Sequence, residues 1–169
     1  MFYTKRSSRW LATVVSVVVA VVFGLVMFIP VAQAETPYDI TSCYYGTLTT
    51  LYKSKELTIL TSDVRGIARS SHENKVFDNC SFHSEQIIQI MNGKMKRSGH
   101  SKFMDPEGDY FFVEISGGKN ATVKFLYGTG KWKGITGTGK FERIARGKAM
   151  EPGTFQGCVR NTGTFELPK

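Results

Sequence analysis

The chain has 169 residues and a net charge of +8, with 41% apolar and 12% aromatic residues. This length bounds it to one modest domain once any leader is set aside. The lysines are scattered and no nucleic-acid-binding motif accompanies them, so the positive balance points to anionic ligands or surfaces rather than to nucleic acid.

Lys5, Arg6 and Arg9 precede an uncharged apolar run from Trp10 to Val31, and Ala32-Gln33-Ala34 follows. A basic start, an apolar stretch and small residues at a cut form the export signal. Residues 1–34 are therefore expected to be a signal helix, leaving 35–169 as a single domain in the periplasm or outside the cell. The run is long enough to span a bilayer, so an uncleaved anchor is the alternative, and it would be the chain's only membrane contact.

From residue 35 onward no helical period is sustained. Short runs of Val, Ile, Thr, Phe and Tyr are punctuated by Gly, Asn, Asp and Pro, which predicts an all-β sandwich or barrel. Strands are expected near residues 38–52, 57–69, 82–91, 94–104, 109–116, 121–127, 139–145 and 154–167, the last with a break.

Cys43, Cys80 and Cys158 are an odd number in an oxidising compartment, which predicts one disulfide and one free thiol. All three pairings remain open. If the sheet closes, its first and last strands become neighbours, which favours Cys43 with Cys158. No tight ligand spacing links the cysteines to His72, His83 or His100, so neither a metal nor a cofactor is expected.

Asn92-Gly93 is a two-residue hairpin signal that sets Met91 opposite Lys94. One face of that hairpin then carries Ser84, Gln86, Arg97 and Ser101 among Phe, Ile and Met, and is assigned to the interior. Reading Asp105 to Gly108 as a four-residue loop pairs Phe103 with Tyr110 and Gly99 with Glu114. Tyr110 and Glu114 would join the inner face, with Glu114 diagonal to Arg97. Phe111, Val113 and Ile115 would then point outward and suggest a contact between copies of the chain.

The run from Gly128 to Phe141 contains G-x-x-x-x-G-K at Gly134 to Lys140. Phe141 replaces the hydroxyl residue that would hold magnesium, so phosphate binding is set aside. Gly128-Thr-Gly130-Lys131-Trp132, Gly134-Ile135 and Gly137-x-Gly139 resemble the glycine-rich segment of dirigent and allene oxide cyclase-like barrels. Phe125, Gly153-Thr154 and Gly163-Thr164 fit the same pattern, over the last third of the domain. The resemblance implies an eight-stranded antiparallel barrel, closed or nearly so, and brings the chain nearest to exported bacterial members. It also implies chemistry on hydrophobic small molecules, although no catalytic residue of that family matches by position.

Three functions follow as expectations. The first is binding of a small apolar or anionic amphipathic ligand in the lumen by Arg97, Glu114, Gln86, Ser84, Ser101 and Tyr110. The others are an isomerase or cyclase, and a non-catalytic envelope protein.

Overall fold

Eight strands account for almost all of the regular structure in the computed structural model, which describes residues 34–168. The expected leader lies outside the described residues. The strands are β1 (Thr36–Lys53), β2 (Leu57–Ser70), β3 (Cys80–Met91), β4 (Lys94–Met104), β5 (Tyr110–Gly117), β6 (Ala121–Gly128), β7 (Thr136–Gly147) and β8 (Thr154–Glu166). Each pairs antiparallel with its neighbour in sequence, and β1 pairs with β8, so the sheet is a closed up-and-down barrel. Closure leaves no strand edge to pair with another chain.

The eight expected strands are all present. β8 has no break, because its glycines serve close approach rather than bending. Gly163 lies opposite Gly139 of β7 and Tyr38 of β1. A Cβ on Gly139 would sit 2.0 Å from the Tyr38 hydroxyl, so this glycine pair makes the space into which Tyr38 folds.

The side chains grade from aromatic at one end of the barrel to polar towards the other. Phe77 seals the aromatic end from outside the sheet. It comes from the β2–β3 connection and stacks within 4.8 to 5.6 Å of Tyr38, Phe111, Phe125, Trp132 and Phe165. Its φ of 61° is left-handed, as are those of Lys75 and Asn79, a costly conformation for non-glycine residues. The loop holds it there by side-chain bonds. Asn74 Nδ2 donates to the Pro37 carbonyl at 2.9 Å, and Asp78 Oδ1 accepts from the Ser70 amide at 2.8 Å. Burying a phenylalanine of this kind is worth about 1.5–3 kcal/mol, comparable to the cost of the strained backbone.

Asp105 anchors the same end. Its Oδ1 accepts from the amides of Glu107 and Asp109, and its Oδ2 accepts from Trp132 Nε1 at 2.9 Å and pairs with Lys131 Nζ at 2.8 Å. Burial pushes the Asp105 carboxyl up, but the Lys131 and Trp132 hydrogen bonds outweigh that and hold it below the usual carboxylate range. A carboxyl whose pKa is lower folded than unfolded stabilises above its unfolded pKa of about 4 and loses that contribution as pH falls through the folded value. Asp105→Asn should therefore lower stability at neutral pH and flatten its acid dependence, as followed by urea melts across the pH range.

Cys43 and Cys158 face each other across the β1–β8 seam and are joined by a disulfide, 115 residues apart in sequence. Cys80 is free and buried, and burial, followed by the nearby Asp105 carboxylate, pushes its thiol up to about 12. In the folded protein an alkylating reagent should label no thiol at neutral pH, whereas denaturation without reductant should expose one per chain. Cys158→Ser should cost about 2–5 kcal/mol, since the bridge closes a long loop in the unfolded chain.

Candidate functional site

The Asn92-Gly93 turn sets the register of β3 against β4 as its sequence requires, with Met91 opposite Lys94 and Ile88 opposite Arg97. Asn92 and Gly93 both have positive φ, the conformation that a two-residue turn of this type demands. Ser84, Gln86, Arg97 and Ser101 consequently face inward and line the lumen.

The next hairpin differs from expectation by one residue. The Asp105 amide donates to the Asp109 carbonyl, leaving a three-residue loop with Gly108 at φ 93°. Asp105 takes two loop amides on one carboxylate oxygen, which favours this tighter form over the four-residue reading. Met104 therefore pairs with Tyr110, and His100 with Glu114. Because side chains alternate along a strand, the whole of β5 is inverted relative to expectation.

Three corrections follow. Glu114 lies on the outer wall beside His100 and Lys102, so Arg97 and Glu114 form no pair. Tyr110 is also outside, with Lys102 Nζ over its ring at 4.3 Å. Phe111, Val113 and Ile115 are buried inside, and none is available for contact between copies.

The lumen holds a cavity of about 100 Å³. Its wall is mostly apolar, with Ser42, Ser62, Ser84, Ser101 and Asn161 as small polar groups around the waist. Gln86 Nε2 donates to Ser84 Oγ at 3.0 Å, and Asn161 Nδ2 to Ser42 Oγ at 3.3 Å. Among the described residues, none that lines the cavity is Asp, Glu or His.

Two arginines interrupt this otherwise neutral wall, Arg143 exposed and Arg97 buried. Arg97 is 8% exposed, and no carboxylate among the described residues bonds to it. Its guanidinium lies 5.2 Å from the Phe141 ring centre, one terminal nitrogen reaches Met95 Sδ at 3.8 Å, and Nε has no acceptor. Burial, then the neighbouring Arg143, push its pKa down. A guanidinium nevertheless remains charged in a protein. The opposing lone polar group is the Tyr38 hydroxyl, buried without a partner and pushed up to about 12 by burial.

Phe77, Tyr38, Arg143 and Asn161 also line the lumen, at positions the sequence pattern does not single out. Phe77 sits in a loop with no periodicity to assign it a side, whereas Arg143 stands beside a bulge in β7 that alternation does not anticipate.

On the outer wall, His83 Nε2 lies 3.1 Å from Asp63 Oδ1 and 4.0 Å from Glu85 Oε1. Among the described residues these three could approach one metal ion, although all are substantially exposed to water. Cys80 and His83 point to opposite faces of β3, so they cannot share an ion.

Fold and cavity together define a closed eight-stranded antiparallel β-barrel with a lined lumen, the barrel expected from the resemblance of the glycine-rich segment. No family model and no curated protein matches the chain. Among solved structures, the chain is similar to the pterocarpan synthase dirigent protein GePTS1 at 12% identity and a TM-score of 0.49, over 80% of this chain and 93% of that one. It is similar to the pterocarpan synthase dirigent protein PsPTS1 at 12% identity and a TM-score of 0.44, over 80% and 97% of the two chains.

The inverted β5 register has a direct test. Glu114→Gln should change stability by less than about 0.5 kcal/mol, as expected of a surface position, and Ile115→Ala should cost about 2–5 kcal/mol. Chemical denaturation of the two variants checks the pair, and the opposite ranking would restore the four-residue loop.

Proposed function

We propose that the protein binds a small, mainly apolar molecule bearing one anionic group, held in the barrel lumen with its anion on Arg97. The observation that carries this reading is the buried guanidinium, which has no counter-ion among the described residues. Burying a lone charge is expensive, and native structures compensate for it with a partner. Among the described residues, no acidic side chain lines the cavity to supply that partner. An anionic ligand does so, and Phe141, Met95, Ile88 and Ile115 offer its apolar part a dry surface.

Cavity size limits the ligand. A space of about 100 Å³ is below the range of roughly 300–1,000 Å³ typical of drug-sized ligands, and nearer to cavities that hold a single aromatic ring. A compact molecule would fit inside, and a longer one would extend past Arg143 towards the polar end. Binding rather than catalysis is favoured because the described residues of the lining include no carboxylate or imidazole to move protons, and Tyr38 is a poor base.

The protein works in this reading after export, with residues 1–34 removed and Glu35 as the first residue. The Cys43–Cys158 bridge supports an oxidising compartment.

Benzoate and benzyl alcohol, nearly equal in size, provide the test by calorimetry. Wild-type protein should bind benzoate at least about tenfold more tightly, a difference worth roughly 1.4 kcal/mol. Arg97→Met should abolish that preference while folding as well as or better than wild type, since it removes an unpaired buried charge. Equal affinity for the two probes, no binding of either, or a loss of about 3–5 kcal/mol of stability in Arg97→Met would overturn the reading.

A further inference from the structure

The two ends of the barrel carry opposite charge. At the polar end, the loops and the two strand residues flanking each contain Lys53, Lys55, Lys94, Lys119, Arg146 and Lys148, against only Glu56 and Glu151. By the same measure the aromatic end carries Glu73, Asp78, Asp105, Glu107 and Asp109 against Arg69, Lys75, Lys131 and Lys133. The molecule is thus an electric dipole along its axis, and a negative surface attracts its polar end and repels the other.

Large apolar side chains are exposed at the same positive end. Met150 is 79% exposed and Leu51 60%, and Tyr52, Met91 and Ile144 are each at least half exposed. Two of these are placed by defects in the strand ladder. The β1–β2 register shifts between Thr50 and Tyr52, leaving Leu51 unpaired, and the β7–β8 register shifts between Arg143 and Ala145, leaving Ile144 unpaired. A bulge re-aims the extra residue, and here both bulges present an aliphatic side chain to water beside the basic loops. The glycine-flanked β7–β8 loop carries Met150 between Lys148 and Glu151.

We infer that the polar end of the barrel docks on an anionic lipid bilayer, its lysines meeting the headgroups and Leu51, Tyr52, Met91, Ile144 and Met150 entering the interface. Charge complementarity selects this occupant. Cations beside isolated exposed apolar side chains are the pattern of a peripheral membrane surface, whereas a protein partner would be met by a continuous apolar core with few charges. Neither element is sufficient alone, and their coincidence on one rim supplies the two signals that stable attachment requires. The contact is separate from any made by residues 1–34, and it does not depend on what the lumen binds.

Because the apolar N-terminal run could itself attach the chain to lipid, the test reads the rim locally. In the full-length chain, Met150→Cys is labelled with an environment-sensitive fluorophore, Cys80 being buried. Vesicles of equimolar phosphatidylcholine and phosphatidylglycerol should shift the emission to the blue, and phosphatidylcholine vesicles should not. The same label on Lys133→Cys at the aromatic end should not respond. Adding Lys55→Glu and Lys148→Glu should weaken the response at least about tenfold in lipid concentration, as should raising salt towards ~1 M. Arg97→Met should respond as wild type, which separates this contact from the lumen reading. A water-like emission on anionic vesicles, an equal response on neutral ones, indifference to the charge reversals, or a shift caused by raised protein concentration without lipid would each overturn the inference.

Discussion

The pairing of β1 with β8 is the constraint on which the other features rest. Once the sheet is a ring, every strand has a dry side and a wet side, and no residue can escape its assignment by moving to an edge. The inner side is filled at one end by Phe77, Trp132 and the surrounding aromatic rings, and is more polar towards the other. Closure therefore produces both the sealed base and the lined cavity. It also makes the position of Arg97 consequential, since a side chain on the inner face has no route to bulk solvent across the wall.

Within that ring, polar groups are treated unequally. Asp105 lies inside the aromatic end and is provided with two amides, an indole and an ammonium. Its charge is neutralised by design of the loop and the 3₁₀ turn at Gly130–Trp132. Arg97 is comparably buried yet meets only sulfur and an aromatic face. One end of the molecule thus resolves a buried charge with its own loop, and among the described residues the other supplies Arg97 with no carboxylate. A fold under selection for stability alone would favour an apolar residue at position 97.

Much of this architecture is legible in the sequence because local and global signals agree. Eight runs of β-forming residues, the Asn92-Gly93 turn and the odd cysteine count lead to the strand number, one hairpin register and one disulfide beside a free thiol, whereas the Cys43–Cys158 pairing follows only once the sheet is closed. The failure at Asp105 to Gly108 is equally physical. Three-residue and four-residue loops differ by one in their pairing, and that single residue exchanges the inner and outer faces of β5. Nothing in alternation alone decides it. The deciding factor is a side chain, Asp105, whose carboxylate gathers the loop amides. The candidate site was legible on β3 and β4, where the turn chemistry is unambiguous. It was illegible on β5 for want of one loop bond, and at Phe77, whose side depends on tertiary packing.

The seam disulfide bears on how the chain avoids mistakes between copies. An up-and-down barrel has two terminal strands that could each be donated to a neighbour in place of its own, giving a domain-swapped pair with the same ladder. Cys43 and Cys158 sit on those two strands and face each other. Once oxidised, neither β1 nor β8 can leave its barrel without the other, and exchange becomes a redox event rather than a thermal one. The bridge therefore fixes monomer identity from the moment it forms, and only the reduced chain retains the freedom to swap.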